Sequence, residues 1–175
     1  MKKITLLLVA LIFISCNTTK TSSQTTTTTK ELQTVKYAGV YSYGSGSTDT
    51  GAIGHITVFP ETDNTILFYI NLNLGPKSYN GGVLYGRLLL KDGKGVFSSS
   101  SYIYQGTGCK WDMNIQNDIL TIKTIENNCG FGHRVSAGGT YTRKDKRKPD
   151  FFENIQGEHI YFAKTSPEAY KKEGY

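Results

Sequence analysis

Residues 109–143 read CKWDMNIQNDILTIKTIENNCGFGHRVSAGGTYTR, and this stretch constrains the fold more than any other. Cys109, Trp111, Met113 and Ile115 alternate with Lys110, Asp112, Asn114 and Gln116. A period of two with one apolar side predicts a half-buried strand. Asn117-Asp118 suits a tight turn, because both side chains tolerate turn geometry. Residues 119–125 alternate again, with Leu120 and Ile122 against Thr121 and Lys123, and 134–143 reads as a further strand. Antiparallel pairing about Asn117-Asp118 brings Cys109 and Cys129 to the same end of the hairpin. A disulfide there closes a loop of about 20 residues and contributes about 3 kcal/mol. Two free buried thiols are the alternative.

The preceding residues carry the same signature. Strands are expected at 37–43, 52–59, 65–74, 83–91 and 96–105, separated by glycine, serine, proline and asparagine clusters. Asp92-Gly93-Lys94-Gly95 marks a hairpin turn. The run 83–91 is apolar on both faces in part, which reads as a central strand. Twelve tyrosines and 19 glycines favour strands over helices. The expected fold is all-β: one antiparallel eight-stranded barrel or sandwich over 37–143. Residues 144–175 form a basic segment and a short appendage. There Ser166 is positioned to cap a helical turn that starts at Pro167.

The first residues set the compartment. Met1-Lys2-Lys3, an apolar run over 4–14 and Ser15-Cys16 have the layout of a secretory signal, expected to be removed as 1–15. The apolar run is too short to span a bilayer. The cysteine directly after the junction resembles the lipobox of bacterial lipoproteins, with Phe13 where that family usually carries leucine. The resemblance implies that Cys16 becomes the N-terminus and is acylated; ordinary secretion with Cys16 unmodified is the alternative. Diacylglycerol plus an amide-linked chain exceeds the two-anchor threshold for stable attachment. The implied location is the cell envelope, most simply the outer membrane, facing periplasm or cell surface. An oxidising compartment also favours the disulfide. Residues 16–36 form a polar tether dominated by Ser, Thr and Gln.

Loss of 1–15 removes two lysines and leaves 18 cationic against 14 acidic side chains. Residues 37–142 carry equal numbers of each, so the surplus lies in the tether and in 143–148. A neutral body argues against nucleic acid as partner, since affinity there needs many phosphate contacts.

Catalytic motifs are sparse. Asp49-Thr50-Gly51-Ala52 spells the short aspartic-protease motif, but that chemistry needs two aspartates sharing a proton, and no second copy exists in the chain. His55, His133 and His159 lack metal-ligand spacing. No nucleophile elbow, phosphate loop or C-x-x-C motif is present. No catalytic residue, metal or cofactor is therefore assigned, and the chain is read as a non-enzyme. Trp111, on the face of Met113 and Ile115, reads as core.

Cys109, Cys129-Gly-Phe-Gly-His-Arg-Val135 and Gly139-Thr-Tyr141 together resemble small β-barrel bacterial lipoproteins, among them the periplasmic lysozyme inhibitors. That resemblance implies eight strands, a disulfide and a lipid anchor. The inhibitors' serine-glycine-x-x-tyrosine loop is not found, and Ser136 to Tyr141 is a loose echo of it. The expected function is a lipid-anchored envelope protein that occludes a protein partner, as an inhibitor or immunity protein does. A structural or assembly lipoprotein of an outer-membrane complex and an envelope hydrolase are the alternatives. In an up-and-down arrangement the connections 44–51, 75–82, 105–108 and 127–133 share one end, and 60–64, 92–95 and 116–118 the other. The first set is longer and glycine-rich. Binding residues concentrate on loops of rigid scaffolds, so Tyr79, Asn80, Phe131, His133 and Arg134 are the candidate partner contacts.

Overall fold

The computed structural model describes residues 31–44, 47–49, 51–99 and 108–172. The expected signal peptide, Cys16, tether residues 16–30 and the second half of the expected fifth strand lie outside these residues.

Eight strands form one antiparallel sheet: β1 (Gly39–Tyr43), β2 (Ile53–Pro60), β3 (Thr65–Asn73), β4 (Gly81–Leu89), β5 (Lys94–Ser99), β6 (Cys109–Gln116), β7 (Ile119–Asn127) and β8 (Gly139–Asp145). Their order is β4-β3-β2-β1-β8-β7-β6-β5, an up-and-down meander whose first and last strands pair. The sheet is a nearly closed barrel, all-β as expected. Its open seam runs between β4 and β5; among the described residues one isolated bridge, Lys91 to Lys94, spans the connection between them. Two turns set the hairpin registers. Asp92 and Gly93 have φ of 52° and 78°, and Asn117 and Asp118 have 49° and 65°. Left-handed backbone at both central residues matches the right-handed twist of the flanking strands.

Alternation delivers one side chain in two to the interior. Tyr41, Ile56, Val58, Ile66, Phe68, Ile70, Trp111, Met113, Leu120 and Tyr141 fill it. Phe68, Phe97 and Trp111 contact one another with ring centroids 5.1–6.1 Å apart. Two tyrosines fix strand starts in the same way. The Tyr41 hydroxyl donates to the Tyr37 carbonyl, and the Tyr141 hydroxyl to the Ala137 carbonyl, each at 2.8 Å. Burial pushes the Tyr41 phenol up to about 12. Tyr141→Phe leaves a buried carbonyl without its donor, at a cost of about 1–3 kcal/mol. The urea midpoint should fall with an unchanged slope; an unmoved midpoint would refute the role.

One end of the barrel is closed by a 3-10 turn, Gln33–Tyr37, where the expectation was tether and then strand. Thr34 is buried there, its hydroxyl donating to the Thr62 carbonyl, and the Gln33 amide bonds the Asp63 carboxylate. The packed body therefore starts before residue 37. At the other end, the expected strand 134–143 begins only at Gly139; Val135 and Ala137 precede it as buried loop residues.

Residues after β8 form a second layer. β9 (Phe151–Glu153) and β10 (His159–Tyr161) pair as a hairpin, and α1 (Pro167–Lys172) follows. As expected, the Ser166 hydroxyl caps the helix, accepting from the Ala169 amide at 3.2 Å. Phe152, Phe162 and Tyr170 cover Leu67, Tyr69 and Tyr85 on the outer face of β3 and β4. Arg87 ties this layer down, donating to both Glu61 oxygens and to Glu168 at 2.7–2.8 Å. The apolar pattern of 83–91 thus has a different cause from the one expected. β4 ends the strand order instead of lying centrally, and its second apolar face packs under the appendage.

Candidate functional site

The described long loops meet at one end of the barrel, as strand parity requires. Loop 128–138 crosses the mouth from β7 to the start of β4. There the Gly132 amide donates to the Gly81 carbonyl at 2.9 Å, and the Asn80 side-chain amide to the His133 carbonyl at 3.0 Å. Loop 74–80 in turn abuts the 44–52 connection, with Gly75 packed on the backbone of Thr48 and Gly51. The Cys109–Cys129 disulfide anchors the first residues of the crossing loop to β6.

The five candidate contacts divide into two kinds. Phe131 is a packing residue. Its ring lies 6.2 Å from that of Trp111 and rests on Gly82, where any Cβ would collide with it. Asn80 is half-buried and spends its amide on the loop-to-loop bond. Tyr79, His133 and Arg134 are exposed, Tyr79 by 54%. Tyr79 and Arg134 hold φ of 50° and 66°, a region that non-glycine residues seldom occupy and that clusters at functional sites. Phe131→Ala should therefore cost stability, on the order of 2 kcal/mol, and thermal melting should show it; an unchanged melt would return Phe131 to the surface set.

His55 lies half-buried in β2, and the His159 ring stacks on Phe151 with centroids 4.0 Å apart. Asp49 is exposed in its loop, and Thr50 of the same motif lies outside the described residues. Among the described residues no cluster of three or more His, Cys, Asp or Glu side chains is placed to hold a metal ion.

A broad recess opens at the opposite, closed end. It is a groove of about 1050 Å3 bordered by the 3-10 turn, the β4–β5 and β6–β7 turns, β5, β6 and Arg143. Arg143 donates to the carbonyls of Lys36 and Ala38 at 2.9 and 3.2 Å and stands 3.0 Å from Asp118. The Lys146 ammonium, bonded to Asp118 at 2.7 Å with Arg143 beside it, holds that carboxyl below the usual range. Hydrogen bonds from Arg147 pull the Asp145 carboxyl down to about 2. The strand pattern does not reveal this groove, since its walls come from segments distant in sequence. The lysines flanking the Asp92-Gly93 turn are its only local trace.

No family model, curated protein or solved structure matches this chain. What its two ends can do follows from their own geometry. The loop end exposes aromatic, imidazole and guanidinium groups on hydrogen-bonded loops. The closed end offers a groove rimmed by lysine and aspartate.

Proposed function

We propose that this protein is a lipid-anchored binding protein of the cell envelope that occludes a protein partner with its loop end. The observation that carries this reading is the interlocking of the described loops at one end of a barrel whose interior is packed with side chains. Loops on a fixed scaffold lose little further entropy when they bind. Tyr79 and Arg134, exposed in left-handed backbone, are the side chains such a surface presents. The lipobox-like Cys16 supports work at a membrane, and the disulfide suits an oxidising compartment.

Capture from solubilised envelopes tests this. The expected catch is a secreted or periplasmic enzyme whose activity falls on binding. Tyr79→Ala with Arg134→Ala should weaken capture while stability moves by no more than about 0.5 kcal/mol, the ordinary range for surface changes. Undiminished capture by that variant would sink the loop-end assignment. Stoichiometric recovery of a stable membrane complex would favour a structural lipoprotein instead.

A further inference from the structure

Three features converge at the closed end. Leu89 and Val96 face outward beside the open seam, exposed by 62% and 56%. Lys36, Lys91 and Lys94 stand exposed on the rim of the groove next to them. The chain also arrives here, since residue 31 leads directly into the turn Gln33–Tyr37. We propose that this end docks on the headgroup surface of an anionic lipid bilayer, a proposal that rests on acylation of Cys16.

The chemistry is that of an interfacial contact. Apolar side chains enter the boundary between headgroups and acyl chains, and lysines meet the anionic headgroups. Asp92, Asp112 and Asp118 line the same groove, and Asp118 is already held by Lys146 and Arg143. The pull is therefore local to the lysine rim and modest. A modest pull suffices when the protein is tethered. Residues 17–30 reach at most about 50 Å when fully extended. So short a link holds the face near the lipid at an effective concentration on the order of millimolar. Contact at this end turns the loop end, at the far side of the barrel, away from the membrane.

Fluorescence energy transfer on the acylated full chain tests the orientation. Dyes are placed at Gln116→Cys, at the closed end, and at Tyr79→Cys, at the loop end, with an acceptor on the lipid headgroups of phosphatidylglycerol-containing vesicles. Transfer from position 116 should be several-fold more efficient than from position 79. Lys36→Glu with Lys94→Glu should shrink that difference, and so should neutral phosphatidylcholine vesicles. Equal transfer from both positions, or a difference untouched by the lysine changes, overturns the proposal. The anchor is scored separately by mass spectrometry of the mature N-terminus. An unmodified Cys16 ends the anchor reading and this proposal with it; an acylated Cys16 with equal transfer ends this proposal alone.

Discussion

A chain ending after Asp150 should lose more stability than any single substitution inside the barrel produces. The missing residues include Phe152, Phe162 and Tyr170, and their loss uncovers Leu67, Tyr69 and Tyr85 on the outer face of β3 and β4. Burial of each such side chain contributes about 1.5–3 kcal/mol. Together they approach the whole net stability of an ordinary domain, about 5–15 kcal/mol. Truncation should therefore give a protein that aggregates or binds hydrophobic dye at 25 °C. Phe152 is the hub, its ring lying 3.9 Å from Tyr69, 4.9 Å from Tyr85 and 5.3 Å from Phe162. Phe152→Ala alone should cost about 3–5 kcal/mol. A truncated chain that melts as sharply and as high as the full one would show that the barrel stands alone.

The second large effect belongs to the disulfide. Cys109 and Cys129 are bonded across a sequence separation of 20 residues. A closed loop of that size stabilises by about 3 kcal/mol, and in a domain of this size that is a fall of roughly 10 °C in melting temperature. Cys109→Ala with Cys129→Ala should show the fall, and reduction of the native protein should match it. The bond also fixes where loop 128–138 leaves β7, so partner capture should weaken in the same variant at temperatures where it remains folded. Free thiols titrating in the unreduced folded protein would refute the pairing.

Local signals in the sequence account for much of this fold. Asp92-Gly93 and Asn117-Asp118 announce their turns because few residue types accept left-handed backbone. The alternation in β6 announces its own buried face. What stays hidden is everything settled between distant segments. Thr34 looks like one more tether residue until the turn at residue 62 offers it a carbonyl. Val83 and Tyr85 carry the apolar pattern of a central strand, and nothing near them says that the covering layer is a hairpin 70 residues later. Phe131 sits among glycines in a polar loop, and only the juxtaposition with Gly82 and Trp111 turns it into packing. The loop-end candidates Tyr79, His133 and Arg134 remain exposed, whereas the groove was visible only as lysines on either side of a turn.

The pairing of β1 with both β2 and β8 has a mechanical side. Inter-strand hydrogen bonds lie across the strands. A force applied between residue 31 and loop 128–138 runs along β1, from the closed end to the loop end, and loads the bonds on both of its flanks together. A force between residue 31 and Lys146, which leave the barrel at the same end, loads the β1–β8 bonds one after another. Optical-tweezer pulling should therefore find the first geometry far stronger than the second. A membrane tether on one side and a captured partner on the other would pull in the strong direction, so tension in the envelope would reach the partner before it opened the barrel.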